Sequence, residues 1–150
     1  MRRIVLLGLA VVLLGFMAPA AQAAPRLACG ATITTSTKLK ADLVCPSGTA
    51  LQVKPDGAPV VLDLGGHQIK GSGVGVAISG LGNAGLATVR NGVLTGFARG
   101  VLMSDSPGSR LKDLKLVGPG SDQADSVGVE VFTSPTFVLD GVTIKGYRSV

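Results

Sequence analysis

The 150-residue chain has no tryptophan, one tyrosine, four phenylalanines, one histidine, two cysteines and nine acidic residues. Each scarcity removes a class of function. So few aromatic rings leave no platform on which single-stranded nucleic acid could stack, so no nucleic-acid partner is expected. One histidine and two cysteines cannot supply the four ligands of a structural zinc site, and no metal centre is expected. The acids contain no Asp-Asp pair, and the one histidine is not part of a Gly-His-Gly motif. Helix is disfavoured as well. Twenty-two glycines and eight prolines penalise helix interiors, and no window beyond the leader keeps an apolar stripe at i, i+3, i+4, i+7.

The longest apolar run, Ile4 to Met17, is too short to span a bilayer comfortably. Arg2 and Arg3 before it and Ala21-Gln22-Ala23 after it read as a secretory signal peptide over residues 1–23, with the mature chain starting near Ala24 and no membrane association after cleavage. A lipid anchor on Cys29 is the rival reading, disfavoured by Arg26 where an apolar residue would be expected. Loss of the leader takes two of the 14 basic residues, leaving 12 against nine acids. That mild positive excess favours anionic partners weakly. In an exported protein Cys29 and Cys45 read as one disulfide, closing residues 24–50 into an N-terminal cap with Lys38, Lys40 and Asp42 outward.

What is abundant is repetition. From about Leu51 the stretches VVLDLGGHQIKGSGVGVAI, ATVRNGVLTGFARGVLM, RLKDLKLVGPG with SVGVEVF, and FVLDGVTIKGY align on Gly71, Gly96, Gly118 and Gly146. A second series, Gly75, Gly100 and Gly128, follows in step. Two glycine columns repeating together mark stacked structural units. The alignment places Leu64, Val89, Leu111 and Leu139 in one inward column and Ile69, Leu94, Leu116 and Ile144 in another. Val76, Val101 and Val129, with Ile78, Met103 and Val131, do the same for a second strand. Between the first two columns lie Gly65-Gly66, Arg90-Asn91, Lys112-Asp113 and Asp140-Gly141, dipeptides suited to a corner that needs positive φ. The expectation is an all-β, right-handed parallel β-helix, a single-stranded solenoid of about four coils over residues 51–150. Its last coil breaks off at Val150, so the sequence is expected to be a fragment or to present an uncapped coil to a partner.

The VVLDLGGHQIKG, VRNGVLTGFARGV and LDGVTIKG segments resemble the right-handed parallel β-helix superfamily with the pectin lyase-like fold, over about Leu51 to Val150. The resemblance implies secreted proteins acting on polysaccharide, among them lyases, hydrolases, esterases and members with no known reaction.

Candidate sites are sparse. Arg90, Lys112 and Asp140 are expected in one outward column, Asp63, Thr88 and Arg110 in its neighbour, with Lys115 close by, forming a basic strip that acidic glycans could bind. Solvated corner charges are the plainer reading. Glu130, with Asp105, Asp122 and Asp125, makes the one acidic grouping, where calcium is conceivable although no cofactor is required. His67 falls in the column of Gly92, Leu114 and Val142 and is expected to be half-buried and hydrogen-bonded. Gly80 to Gly85 spells a dinucleotide fingerprint but precedes a strand, so it reads as a turn. The leading expectation is a binding module for polysaccharide or another surface polymer. The N-terminal part of a lyase or glycoside hydrolase is the alternative, and an end-to-end stacking module the third.

Overall fold

The structure is a computed structural model that describes residues 27–80, 86–120, 123 and 125–149. The leader (1–23), most of the Gly80–Gly85 turn, Asp122 and Val150 lie outside the described residues. Among those described there are strands and no helix: β1 (Ala31–Ile33), β2 (Thr37–Lys38), β3 (Leu43–Cys45), β4 (Thr49–Val53), β5 (Val60–Asp63), β6 (Gln68–Gly71), β7 (Val74–Ser79), β8 (Ala87–Thr95), β9 (Arg99–Ser104), β10 (Arg110–Val117), β11 (Val127–Phe132), β12 (Val138–Asp140) and β13 (Thr143–Lys145). They wind into a parallel β-solenoid of about four turns. One sheet has the order β1-β4-β7-β9-β11. The other runs β12-β10-β8-β5-β2, with β3 on β6, β6 on β8 and β13 on β10. Parallel neighbours need a crossover between them, and here each coil's crossover is its visit to the opposite sheet.

The glycine columns mark the register. Lys70 pairs with Thr95, Thr95 with Val117 and Val117 with Lys145, which stacks Gly71, Gly96, Gly118 and Gly146 one above another. Val76, Val101 and Val129 pair in turn, which stacks Gly75, Gly100 and Gly128. Space explains the columns. Phe97 is fully buried, and a Cβ at Gly75 would lie 2.5 Å from the Gly100 carbonyl oxygen and 3.0 Å from the Phe97 ring. A Cβ at Gly71 would collide with the Cys45 carbonyl oxygen and the same ring. Tyr147 plays a matching part over Gly100, Gly118 and Gly128.

One column is misplaced in the sequence alignment. Val89 pairs with Leu62, not with Leu64, and Arg90 pairs with Asp63. Coil two spends six residues, 63–68, between Leu62 and Ile69, where the next coil spends four, 90–93, between Val89 and Leu94. The surplus forms a Leu64–Gly65–Gly66 corner, and Leu64 turns inward to full burial in the space left by Gly92, where a Cβ would meet it. Aligning on the glycine after the corner counts backward through this insertion and shifts everything before it by two. The corner chemistry itself is as expected: Gly65, Gly66, Asn91, Asp113 and Gly141 have positive φ, at 62°, 82°, 57°, 50° and 64°.

Residues before Leu51 cover the first repeat by extending both sheets. Ala31 pairs with Leu51, Thr37 with Leu62 and Leu43 with Ile69, and Ile33 and Leu39 are buried. The Cys29–Cys45 disulfide ties the start of this coil to its third strand. At the other end Leu139 occupies its expected column but is 42% exposed, because among the described residues no strand pairs with the far edge of β12. A second repeat lies at the turns into the eight-stranded sheet, Ser106-Pro107 and Ser134-Pro135. The Ser134 hydroxyl accepts the Ser106 N–H at 2.9 Å, and both serines are buried.

Candidate functional site

The extended β8 and β10 present their odd-numbered or even-numbered side chains to one face according to the pleat, and the corners at Asn91 and Asp113 bend that face without breaking the ladder. The outward column on the N-terminal side of the corner consists of five charged residues. Lys38 pairs in register with Asp63, Asp63 with Arg90, Arg90 with Lys112 and Lys112 with Asp140. Rungs in such a ladder are about 4.8 Å apart.

The column therefore keeps a net positive sign but interleaves acids among its bases. Asp63 belongs to it, through the register shift, and not to the column of Arg110, which is Val61, Thr88, Arg110 and Val138. Arg90 is ion-paired to Asp63 at 3.0 Å, and Lys112 approaches Asp140 at 3.6 Å. Two of the four expected bases are thus partly neutralised. Arg110 and Lys115 are exposed and form no ion pair among the described residues, and Lys38 is in the same position. Lys115 lies past the corner, between Val93 and Thr143.

Glu130 is not part of this face. It stands on β11 in the opposite sheet, beside Leu102, and meets the Arg99 Nε in a charge contact rather than an aligned hydrogen bond. Among the described residues no three His, Cys, Asp or Glu side chains converge as a metal site would require. Asp105 is occupied locally, accepting the Ser104 hydroxyl at 3.0 Å. His67 is half-buried, as expected, with Nδ1 3.2 Å from Asp42. The Gln68 N–H, donated to Asp42 at 3.0 Å, holds the Asp42 carboxyl below its usual pKa, with His67 adding to the effect.

Charge is segregated between the two sheets. Strands of the eight-stranded sheet carry seven bases, Lys38, Lys70, Arg90, Arg110, Lys112, Lys115 and Lys145, against three acids, Asp63, Asp113 and Asp140. Strands of the five-stranded sheet carry Arg99 and Glu130 alone. The mild basic excess of the chain is thus concentrated on one face.

Asp63 organises the centre of this face. Its Oδ1 accepts the Gly65 N–H at 2.8 Å and the Asn91 amide at 3.3 Å, while Oδ2 accepts Arg90 Nε at 3.1 Å. These donors, led by the Gly65 N–H, hold its carboxyl below the ordinary carboxylate pKa despite an opposing desolvation. Beside it lies a shallow depression of about 410 Å³, lined by Ser36, Thr37, Lys38, Val61, Asp63 and Arg90.

Sequence reasoning misplaced two residues here. Lys38 was assigned to the cap, although its pairing with Asp63 puts it in the column. Asp63 was displaced by the two-residue corner insertion. Arg110-Leu111-Lys112 spells an Arg-x-Lys triplet, with both bases outward on β10. No family model matches the chain, and no curated protein or solved structure matches it either.

Proposed function

We propose that the protein is an exported β-solenoid module that binds an anionic polysaccharide across the outer face of its eight-stranded sheet. The observation that carries this reading is the charge segregation: seven bases against three acids on one sheet, set in register along stacked rungs. A regular array of cations with fixed spacing suits a polymer with repeating acid groups, which it would hold by charge-assisted hydrogen bonds. Export is supported by the leader-like segment and by the Cys29–Cys45 disulfide, which persists in oxidising compartments. The solenoid agrees with the pectin lyase-like resemblance, whose polysaccharide-directed members make this substrate class the natural one.

The test is binding of the full chain to acidic and neutral polysaccharides by affinity electrophoresis across a salt series. Retardation by polygalacturonate or heparin, absent with neutral glucan and weakened by salt, is expected. The Arg110→Gln/Lys115→Gln double variant, which removes two of the seven bases, should weaken it. Equal retardation by neutral glucan, or none by either acidic polymer, would overturn the reading. Release of oligosaccharides in the same mixtures would move the protein to the lyase or hydrolase class.

A second reading rests on a separate observation. Phe137, Val138 and Leu139 are 39%, 38% and 42% exposed at the last coil. Apolar residues gathered beside a strand edge that no other described strand pairs suit stacking against another copy. Concentration-dependent oligomers in sedimentation, abolished by Leu139→Lys, are the expected sign; a monomer at all concentrations would refute it.

A further inference from the structure

We infer that the depression between β2, β5 and β8 seats one acid-bearing sugar residue of the bound polymer, its carboxylate or sulfate held between Lys38 and Arg90. This rests on the polysaccharide reading above and adds to it where the recognition occurs and which side chains perform it.

The first argument is shape. Strand β2 has two residues, pairs with β5 at the end of the eight-stranded sheet, and borders a shallow depression there. The depression, about 410 Å³, is shallow and open, a seat for one sugar ring and not an enclosing pocket.

The second is the disposition of charge. Asp63 sits between the two cations, yet both its oxygens are already engaged by Gly65, Asn91 and Arg90. Arg90 spends Nε and Nη2 on one carboxylate oxygen, at 3.1 and 3.0 Å, so the rest of its guanidinium fork is left for a ligand. Asp63 thereby acts as a positioning residue that fixes the direction of Arg90. Lys38 lies over the corner: its Cε is 2.9 Å from where a Cβ on Gly65 would stand. A side chain at Gly65 would push Lys38 away, so the absent side chain helps place the cation.

The third is the remaining lining. The Ser36 hydroxyl accepts the Val61 N–H at 3.0 Å, which leaves its own hydrogen to donate. The Thr37 hydroxyl donates to the Thr35 carbonyl at 2.9 Å, which leaves its lone pairs to accept. Half-buried Val61 supplies an apolar floor. Cations, one free donor, one free acceptor and an apolar floor match a pyranose ring with hydroxyls, C–H groups and an acid. A bare inorganic anion would use the cations and the Ser36 donor but neither the free acceptor nor the apolar floor.

The experiment is an amide-resolved NMR titration of the full chain with three probes: a heparin-derived tetrasaccharide, trigalacturonate and cellotetraose. Shifts centred on residues 36–38, 61–63 and 90 with an acidic probe and absent with cellotetraose are expected, and the two acidic probes separate sulfate from carboxylate as the preferred group. Lys38→Gln, an exposed substitution, should weaken the preferred tetrasaccharide or trisaccharide at least tenfold. Asp63→Asn discriminates by sign. If Asp63 positions Arg90, the variant binds more weakly; if Asp63 merely repels the ligand, it binds more tightly, and the assignment fails. The spectrum of each variant away from the site reports that it is folded. Shifts centred on Arg110 and Lys115, with polymer binding intact, would overturn the seat and leave the polymer reading standing. Absence of polymer binding in the salt series would overturn both.

Discussion

Phe97 fills the interior between the two glycine columns, and Phe97→Ala is the substitution whose consequence the structure fixes best. The ring is fully buried, and ideal Cβ positions at Gly71 and Gly75 come within 2.9 and 3.0 Å of it. A buried aromatic side chain removes about 150–250 Å² from water, and at about 25 cal/mol per Å² the lower figure amounts to about 4 kcal/mol. Truncation also leaves a cavity, since the flanking backbones are locked in parallel ladders and cannot close over it. The expected loss is about 3–5 kcal/mol, which for a chain of this size lowers Tm by on the order of 10–15 °C. Urea unfolding followed by circular dichroism gives the free energy, and a thermal scan gives Tm. Gly75→Ala should cost about 1–3 kcal/mol by overpacking, and adding Phe97→Leu should not rescue it. The obstacle nearest the new methyl is the Gly100 carbonyl oxygen at 2.5 Å, a backbone atom that a smaller side chain at 97 does not move. A loss under about 1 kcal/mol for Phe97→Ala, or rescue of Gly75→Ala by Phe97→Leu, would refute the reasoning that the ring and the ladder backbones jointly require the glycines.

Other perturbations follow from single residues. The Tyr147 hydroxyl has no hydrogen-bond partner among the described residues, so Tyr147→Phe should be neutral or stabilising by up to about 1 kcal/mol in urea unfolding. Burial pushes the Tyr147 phenol from 10.0 to about 12; its stabilising share is complete below pH 10 and lost as pH rises toward 12, a loss that alkaline unfolding should show for wild type and not for Tyr147→Phe. Asp63 has the opposite sign: its depressed carboxyl contributes above its unfolded value of 3.8 and loses that contribution as pH falls through the lower folded value, so acid unfolding of Asp63→Asn should be less steep there. Reduction of Cys29–Cys45, 16 positions apart, should cost about 3 kcal/mol, with amide exchange rising first in β1 to β3.

Much of the interior was legible because it is written in residue volume. At Gly71, Gly75, Gly100 and Gly118 neighbouring carbonyl oxygens and the Phe97 or Tyr147 side chain leave no room for a Cβ, so the two columns are fixed by volume and not by the outward residues. Asn91, Asp113 and Gly141 were legible for a different reason, since a corner with positive φ restricts the residue types it accepts. The face was less legible. The insertion at Leu64–Gly66 is invisible to an alignment anchored on glycines beyond it, and it hid both the burial of Leu64 and the place of Asp63 in the charged column. Lys38 was obscured because its strand has two residues, too few for any periodicity to show. A linear sequence does not show that Glu130, on β11, stands in the opposite sheet from Arg90, nor that Arg99 meets it.

The separation between interior and face also yields a discriminating measurement. If the charged column existed to hold the fold together, breaking its outer pair would destabilise the protein. Lys112 and Asp140 are 52% and 64% exposed in their side chains and 3.6 Å apart, conditions under which an ion pair contributes roughly 0–1 kcal/mol. Lys112→Gln should therefore leave the urea midpoint within about 0.5 kcal/mol of wild type while it weakens retardation by acidic polysaccharide, because it removes one cation from the array that the polymer would follow. A large loss of stability with unchanged retardation would place the column among the fold's supports instead. With the interior already accounted for by aliphatic columns and aromatic rings, the outer pair of the charged column is expected to contribute little to stability, as the proposed role in recognition requires.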